Sequence, residues 1–463
     1  MAWLRVLSVI GLLLSSVRAG PPVSVLSNTV LDSQGIFFVS YDGVVNVNSF
    51  QDSAVLTYGN YQFSAWYTAS GAAMLGRRSL PSGAWSVLKL PHNLSVSDSH
   101  NVISLGVSPA DGKIHVAMDC HSTQASHDCT TPTRKPTSPP AATAGLRAAS
   151  PPSRLPSEPS TLDPPNRFVV TPTNLLQFVY RTGVSGNGAT QLAEYSGGVW
   201  SSVGSWASAS GTYTAPSGAT STLRNLYIHG FTYHQNRVHV SGTWREQNGA
   251  VSCSSAGLTN HDTVSSDLTI GRTWHNAAGT TIGTSGTTLI NVNTAGIIVD
   301  SLNADHASAL MNQESQTVDS TGLPHIVISY VPGRFGQCVQ NYETGRPEFA
   351  RPFHLYQNSN GTWTKFEIPF FIQSVGRSQI VMDASDNVYV VMPFVRVVTA
   401  TKASGWTDWT VAYNGTTAGL NAFGEVTLDR ARLPSGVLSV LYQQSSTGTT
   451  PSPVHLIEFN MNK

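Results

Sequence analysis

Two histidines lie at positions where they could act together as a proton donor and a proton acceptor. His100 directly precedes Asn101 in the run D-S-H-N, and His121 follows Cys120 where a short alternating strand ends. A polar turn at Asp111-Gly112 separates the two, so consecutive strands would deliver both imidazoles to one end of a sheet. Because an imidazole changes its charge readily near neutral pH, the pair predicts a site for proton transfer.

The elements that must position these side chains follow one pattern, a polar turn and then a short alternating apolar strand. Seven such units occur in the chain, at 59–63, 111–116, 173–178, 235–240, 322–327, 386–390 and 435–440. Several units also carry a glycine shortly before a tryptophan, at Trp85, Trp200, Trp363 and Trp406. Seven four-stranded sheets arranged in a ring would bury these tryptophans between adjacent sheets and leave only short edges. The pattern predicts an all-β chain folded as a seven-bladed β-propeller, in which a final strand at 454–459 and an early one at 43–47 close the ring.

Three other histidines, His115, His239 and His325, occupy equivalent places in this repeat. Histidines repeated in this way are interpreted as hydrogen-bonded structural side chains. His100 and His121 do not fall on that repeat position, which sets them apart. Taken alone, His100 could instead cap a turn.

The composition is typical of a turn-rich, exported all-β protein. The 463 residues include 40 glycines, only 11% are charged, and the net charge is +0. No basic excess indicates nucleic acid or an anionic membrane as a partner. An acidic substrate would have to be bound by a few local cations, and a monomer is expected.

The first 19 residues read as a secretory signal peptide, with Arg5 before a short apolar core and Val17-Arg18-Ala19 at its end. Residues 20–463 would then form a single propeller domain that is secreted and extracellular. Three Asn-X-Ser/Thr triplets fit that compartment and predict a glycoprotein, at Asn93, Asn360 and Asn414.

The four cysteines form neither a dense disulfide framework nor a zinc ribbon; they are Cys120, Cys129, Cys253 and Cys338. Cys120 beside His121 could suggest a metal site, but no second ligand pair has metal spacing. A plain or paired cysteine is therefore the favoured interpretation. No metal or cofactor is expected for the chemistry, and a structural calcium ion stays open.

Residues from about 123 to 165 do not fit the repeat, because they are rich in Pro, Ser, Thr and Ala and nothing in them alternates. A linker of that length inside a propeller blade is unusual. The segment is either an insert or a sequence artefact, such as a frame shift or mis-called exon, and the artefact is favoured.

Further segments carry a resemblance to a known family. Arg181 lies in F-V-Y-R-T-G and begins R-x-G-x-S-G-N-G, Tyr227 lies in N-L-Y-I-H-G, Arg245 in T-W-R-E, and His261 in N-H-D. With D-S-H-N and M-D-C-H, these segments resemble the BNR-repeat propeller lyases that cleave uronic-acid polysaccharides. The likeness is to the fungal rhamnose–glucuronate lyases and, more distantly, to ulvan lyases.

The resemblance implies β-elimination on an acidic plant or algal polysaccharide. His100, His121, Arg181 and Tyr227 would be catalytic, with Arg181 neutralising the uronate carboxylate. Arg245, His261 and Asn101 would bind substrate. The family has a catalytic tyrosine in a Y-P-R-F-like strand, whereas this chain has Pro165 at that position.

Two rival functions follow from that departure and from the fold class. A non-catalytic carbohydrate-binding propeller would need no proton-transfer group at position 165. A sialidase-like hydrolase would need three carboxylate-binding arginines and a Tyr/Glu pair, and no F/Y-R-I-P-like strand begins such a set. Without the resemblance, Arg181 could simply form an ion pair.

Overall fold

A computed structural model describes residues 20–40, 43–50, 53–121, 162–215, 218–247, 258–269, 273–284, 287–302, 307–335 and 342–461. Within these ranges, residues 162–166, 247, 258–269 and 307–308 are described by their backbone alone. The predicted signal peptide, most of the Pro/Ser-rich segment, and Cys129, Cys253 and Cys338 lie outside the described residues.

The chain is a β-propeller whose blades are antiparallel sheets of consecutive strands. After β1 (Ser24–Gly35), the first blade contains β2 (Val55–Tyr58), β3 (Tyr61–Tyr67), β4 (Ala72–Ser79) and β5 (Ser86–Asn93). A two-stranded sheet follows, made of β6 (Ser104–Val107) and β7 (Ile114–Ala117). The next blade contains β8 (Leu162–Val170), β9 (Leu176–Val184), β10 (Asn187–Ser196) and β11 (Val199–Ala207).

The middle of the chain supplies two larger sheets. A small hairpin comes first, made of β12 (Tyr213–Thr214) and β13 (Thr220–Ser221). The first larger sheet contains β14 (Arg224–His234), β15 (Arg237–Gln247), β16 (Leu258–Thr269), β17 (Thr273–His275) and β18 (Thr281–Thr284). Strand β19 (Ile298–Asp300) joins this sheet by pairing with β16. The following blade contains β20 (Ala307–Ser308), β21 (Ser315–Val318), β22 (Pro324–Pro332), β23 (Arg351–Gln357) and β24 (Trp363–Glu367). Helix α1 (Tyr342–Phe349) lies between β22 and β23.

The last part of the chain completes the ring. One blade contains β25 (Gln379–Met382), β26 (Val388–Met392), β27 (Arg396–Ala400) and β28 (Thr410–Asn414), and the final sheet contains β29 (Thr427–Asp429), β30 (Val437–Gln443) and β31 (Ser452–Asn460). Short 3-10 helices lie at Pro393–Val395, Lys402–Ser404 and Arg430–Ser435.

The predicted number of seven four-stranded blades is wrong for the described residues. They form five blades of consecutive strands, one closing sheet that joins both ends of the chain, and two two-stranded sheets, β6–β7 and β12–β13. Strand β7 is followed by the Pro/Ser-rich segment, most of which lies outside the described residues. The all-β propeller prediction itself is confirmed.

Ring closure uses the predicted last strand but a different early strand. β31 pairs with β1, from Ser24 opposite Asn460 to Gly35 opposite Ser452. The predicted strand at 43–47 is instead a turn in which the N–H groups of Val47 and Asn48 donate to the carbonyl of Val44. Val44, Val45 and Val47 are buried. An apolar run of this length does not distinguish a buried turn from a strand.

The first strands of successive blades line the axis of the ring. β2 contacts β6 and β29, β6 contacts β8, β8 contacts β14, β14 contacts β21, and β21 contacts β25. Because the second strand of each blade runs antiparallel to the first, it ends where the first begins. We call this end of the ring the leading face. Residues just before a first strand, or at the end of a second strand, therefore meet there.

Aromatic side chains pack between adjacent sheets, as the repeat predicts. Trp200 of β11 makes an edge contact with His115 of β7, at 5.4 Å between ring centroids. Trp406 makes the same kind of contact with His325 of β22, at 4.7 Å. His115, His239 and His325 are all buried. His115 differs from the prediction, because neither of its ring nitrogens has a hydrogen-bond partner among the described residues.

Acid should destabilise the fold through His115. Burial lowers the pKa of His115 to about 4, against about 6.5 for an unfolded histidine. The unfolded chain then binds a proton that the folded chain does not, so the free energy of unfolding falls as the pH drops through this window. Between about pH 6.5 and about pH 5 the loss should be about 2 kcal/mol.

The variant His115→Leu isolates this contribution, because it removes the titrating ring and keeps an apolar side chain in the aromatic pocket. Urea denaturation at both pH values should show a smaller acid loss in the variant than in the native chain. Equal losses would mean that His115 does not contribute to the acid sensitivity.

Candidate active site

The two predicted histidines lie together at the leading face. His100 precedes β6 and His121 follows β7, so the antiparallel pairing of these strands brings them to the same end. The carboxylate of Asp98 bridges them, with Oδ1 2.7 Å from Nδ1 of His100 and Oδ2 2.7 Å from Nδ1 of His121. The imidazole rings stack, with centroids 4.4 Å apart and planes inclined by 25°.

The bridge determines which ring nitrogens are available for chemistry. A carboxylate only accepts hydrogen bonds, so each imidazole donates its Nδ1 proton and a neutral ring keeps its lone pair at Nε2. Burial tends to raise the pKa of Asp98, but the hydrogen bonds from His100 and His121 outweigh burial and hold it well below its usual range. The side chains of His100 and His121 are 20% and 16% exposed, which leaves them accessible to a ligand.

Asn101 holds the backbone beside the histidine pair. Its side chain is fully buried, and its Oδ1 accepts a hydrogen bond of 2.7 Å from the backbone N–H of His121. This contact holds the chain at His121 in position after the strand has ended. Cys120, the preceding residue, is disulfide-bonded.

Arg181, Tyr227 and Arg245 form a second group at the leading face. Arg181 lies near the end of β9, Tyr227 near the start of β14, and Arg245 near the end of β15. The guanidinium carbon of Arg181 lies 3.7 Å from the centroid of the Tyr227 ring, and that of Arg245 lies 5.3 Å from it. Arg181 and Tyr227 are each 2% exposed.

The Tyr227 hydroxyl is engaged by a turn of the neighbouring blade. It lies 3.1 Å from Oγ of Ser185 and accepts a hydrogen bond of 3.3 Å from the backbone N–H of Gly186. Both residues belong to the R-x-G-x-S-G-N-G run that begins at Arg181. One sequence segment therefore supplies both the cation on the ring and the contacts to the hydroxyl.

Two other predicted positions are described by the backbone alone. His261 lies in β16 opposite Trp244 of β15. Pro165 lies in β8, which begins at Leu162, five residues before the strand that the sequence predicts at Arg167. The pairing of β8 with β9 is irregular between Asp163 and Arg167, which spans Pro165. This irregularity accommodates prolines, which have no backbone N–H to donate to the hydrogen bonds of a regular β-ladder.

Sequence reasoning missed an aromatic and charged support behind His100. Phe50, just before β2, stacks on His100 with centroids 4.7 Å apart. The guanidinium carbon of Arg377, just before β25, lies 4.1 Å from the centroid of the Phe50 ring. Arg377 pairs with Glu425 at 2.8 Å, and the backbone N–H of Ser49 donates to the same carboxylate at 2.7 Å. Three sheets thus hold the ring on which His100 rests.

A buried carboxylate, Glu314, adjoins this support. Burial raises the pKa of Glu314 to about 7, despite the nearby guanidinium groups of Arg346 and Arg377. Its backbone N–H donates to Nδ1 of His229 at 3.0 Å, and Nε2 of His229 lies 2.7 Å from the Thr243 hydroxyl. Burial and the charge of Arg377 lower the pKa of His229 to about 3, so this histidine is neutral.

Local sequence could have revealed Asp98, which stands two residues before His100. Phe50, Arg377 and Glu425 had no such signal, because each is distant in sequence from the histidines. They converge only because they precede first strands that meet around the axis.

In the described part of the chain, one group could hold a metal ion: donor atoms of Asp98, His100 and His121 lie within 4.8 Å of one another.

Comparison with known proteins agrees with this architecture. Residues 61–370, more than half of the chain, match the model of a BNR repeat-containing family member. The long ulvan lyase of Pseudoalteromonas sp. (strain PLSV) is 37% identical over 87 residues, which are 17% of this chain and 9% of that protein. The short ulvan lyase of Alteromonas sp. (strain LOR) is 32% identical over 87 residues, 16% of its length. The chain thus matches only a small part of these relatives.

Solved structures share the fold over most of the chain. The polysaccharide lyase Uly1 superimposes with a TM-score of 0.65 and 16% identity, covering 95% of this chain and 100% of that one. A PL25 ulvan lyase bound to -[GlcA(1-4)Rha3S]- superimposes with a TM-score of 0.61 and 12% identity, covering 93% and 95%. In the described part of this chain, no helix is long and apolar enough to cross a membrane.

Proposed function

This chain belongs to the BNR repeat-containing family, and on that premise we propose that it is a polysaccharide lyase. Its substrate is a glucuronate-containing glycan, cleaved by β-elimination at a rhamnose–glucuronate linkage. The observation that carries the proposal is the pair of accessible imidazoles bound to one carboxylate at the leading face. The names of the matching relatives, ulvan lyases, and the GlcA–Rha ligand of one structural neighbour support the substrate class.

The elimination requires a base, an acid and a cation. The base takes the proton from C5, the electron pair forms the C4–C5 double bond, and the C4–O bond breaks as the acid protonates the departing oxygen. A neutral imidazole with its lone pair at Nε2 can be the base, and an imidazolium beside the same carboxylate can be the acid. His100 and His121 take these two roles, and the products are an unsaturated uronate and a new reducing end.

Arg181 is the cation that neutralises the uronate carboxylate, because a guanidinium binds a carboxylate through two parallel hydrogen bonds. Neutralisation makes the C5 proton more acidic and stabilises the charge that develops as it leaves. Tyr227 orients Arg181 through its ring face and contributes to placing the sugar. Arg245 and His261 extend the binding surface along the same blade.

The direct test is ultraviolet absorbance of the unsaturated uronate during incubation with a rhamnose–glucuronate glycan such as gum arabic. Absorbance that rises with the native chain and not with a heat-denatured sample would support a lyase. No rise with a folded protein, together with retention on an immobilised glycan, would favour the second candidate. That candidate is a non-catalytic glycan-binding propeller, and the proline at position 165 of β8 is the observation that favours it.

Asp98→Asn should lower kcat/KM by about 10–100-fold, the usual cost of losing a carboxylate that orients a histidine. An asparagine amide can accept from one imidazole but must donate to the other, which shifts that ring to the wrong tautomer. The pH–rate profile should therefore move, and Asp98→Glu should restore part of the activity. The control is Asp300→Asn, since Asp300 pairs with Lys365 away from the histidines. An unchanged pH profile would contradict this role for Asp98.

We also propose that the protein is secreted and glycosylated. Asn93 and Asn360 of the predicted glycosylation triplets are exposed, and Asn414 is half-buried. The disulfide at Cys120 is typical of an oxidising compartment. A loss of mass on treatment of the natively expressed protein with an N-glycosidase is the expected result, and an unchanged mass would contradict glycosylation.

A further inference from the structure

A guanidinium group lies over an aromatic ring on a blade that the proposed chemistry does not use. Arg351 begins β23, and its guanidinium carbon lies 3.3 Å from the centroid of the Phe371 ring. This arrangement repeats that of Arg181 over Tyr227, where the distance is 3.7 Å. Because Arg181 is assigned to a uronate carboxylate, Arg351 is a candidate for the same kind of contact.

Strand direction places Arg351 and Phe371 at the leading face. β22 is the second strand of its blade and ends at this face, so β23, which runs antiparallel to β22, begins there. Phe371 lies between the end of β24 and the start of β25, which is a first strand. The same segment continues to Arg377, which lies over the Phe50 ring behind His100. Both arrangements are therefore on the side of the ring that carries the histidine pair.

The terminal nitrogens of Arg351 are available to an anion. Among the described residues, none forms a hydrogen bond with Nη1 or Nη2 of Arg351, and its Nε lies 3.6 Å from Oε1 of Glu367. Its side chain is 15% exposed. Because the ring of Phe371 holds the guanidinium from one side, the two terminal nitrogens form a fixed fork that matches the two oxygens of a carboxylate. Burial also lowers the pKa of Arg351, so its charge is incompletely solvated and would gain from an anion.

A second pair of a cation and an aromatic ring adjoins the first. The ring centroids of Phe335 and Phe371 are 6.0 Å apart, and the guanidinium carbon of Arg334 lies 4.6 Å from the centroid of Phe335. Phe335 and Arg334 are both exposed. Glu367 pairs with Arg334 as well as with Arg351, so two guanidinium groups share one carboxylate.

Arg396 adds a third positive charge. It begins β27, which also starts at the leading face, and it donates a hydrogen bond to the backbone carbonyl of Phe371. In the described part of the chain, no carboxylate forms an ion pair with Arg396, whose other acceptors are neutral. Helix α1 carries two exposed carboxylates, Glu343 and Glu348, but neither forms an ion pair with these arginines. Positive charge therefore exceeds negative charge around the Phe371 ring.

We propose that Arg351 on Phe371 is a second carboxylate-binding site, which takes another uronate of the same polysaccharide chain. Nη1 and Nη2 of Arg351 bind the two carboxylate oxygens, while Arg334 and Arg396 strengthen the positive potential around them. A glycan with repeated uronates reaches Arg181 and Arg351 together, because both lie at the leading face. The inference rests on the acidic glycan of the proposed function and not on the elimination step.

Gum arabic and its carboxyl-reduced form are a matched pair of probes, because they share a backbone and differ in uronate charge. Affinity electrophoresis of the full chain through native gels that contain either glycan measures binding. Every protein in the test carries His100→Gln, which slows any cleavage of the glycan. Gum arabic should retard this parent protein more strongly than its carboxyl-reduced form. Arg351→Gln should weaken the binding of gum arabic about tenfold, since it removes charge-assisted hydrogen bonds.

Three further variants make the test specific. Arg77→Gln is the matched control, because Arg77 lies over the ring of Tyr61 near the end of β4 that points away from the leading face. Arg334→Gln should weaken binding about threefold, as expected for an exposed charge. Adding Arg351→Gln to Arg181→Lys should weaken binding by the same factor as Arg351→Gln alone, because separate sites contribute additively.

Weaker binding by Arg351→Gln, with parent affinity in Arg77→Gln, supports the site. Equal retardation by both glycans, parent affinity in Arg351→Gln, or no retardation of the parent protein would each overturn it. If Arg351→Gln fails to fold, Arg334→Gln decides, and parent affinity in that variant overturns the site. A chain that releases no unsaturated uronate but loses affinity in Arg351→Gln has the site without the lyase activity. An active lyase that binds equally well with Arg351→Gln has the activity without the site.

Discussion

Replacing His100 or His121 with glutamine should lower kcat/KM for the glucuronate-containing glycan by about 10²–10⁴-fold. Glutamine can still hydrogen-bond to Asp98 but cannot take or release a proton near neutral pH. The effect should appear mainly in kcat, because proton transfer belongs to the transition state and glycan binding should persist. Initial rates of ultraviolet absorbance, measured over a range of glycan concentrations, separate kcat from KM.

The matched control is His275→Gln, since His275 of β17 is half-exposed and its Nδ1 lies 3.3 Å from the carbonyl oxygen of Gly279. That variant should retain native activity. The double variant His100→Gln/His121→Gln should be little worse than the poorer single variant, because base and acid serve one concerted step. Native rates in both single variants would remove the histidine pair from the mechanism, whatever the protein binds.

Arg181→Lys should lower kcat/KM by about 10²–10³-fold, which is typical for loss of one well-placed electrostatic contact to a developing charge. Lysine keeps the charge, but it loses the planar fork that binds a carboxylate through two hydrogen bonds and lies flat on Tyr227. The loss should be smaller for a glycan whose uronates are methyl-esterified, because an ester has no charge to neutralise. Comparing the two glycans therefore tests whether Arg181 acts on the charge of the uronate carboxylate.

Arg181 is also part of a buried contact, so its substitution needs a control for folding. Arg77→Lys is well matched, because Arg77 lies over the ring of Tyr61 at 5.0 Å on another blade. Both variants should be compared by Tm before their rates are interpreted. If Arg181→Lys loses activity equally on both glycans, Arg181 supports the fold of the site and does not bind the carboxylate.

The sequence was sufficient for the repeated strands and the fold class. Each predicted turn-and-strand unit contains a strand, because a polar turn followed by a short apolar run is a local property of the sequence. The number of blades was not predictable in the same way. It depends on how strands group into sheets, and the closing β1–β31 pair is decided by contacts between the two ends of the chain.

The closing strand illustrates this limit. Val44, Val45 and Val47 have the composition of a strand, yet they fill the core from a turn, while Ser24–Gly35 pairs with the last strand. Backbone pairing between the two ends of a chain is invisible in any local window.

The candidate site shows the same difference between what local sequence indicates and what the tertiary structure decides. His100 and His121 were proposed from residue type and their place at strand ends, whereas Arg181 and Tyr227 were proposed from the resemblance to the propeller lyases. Only the tertiary structure revealed that Asp98 bridges both imidazoles, that Arg181 lies on Tyr227, and that Phe50 and Arg377 support His100. A ring of sheets brings residues hundreds of positions apart to one face. The sequence by itself therefore determined which reactive side chains are present, and only closure of the ring decided how they lie relative to one another.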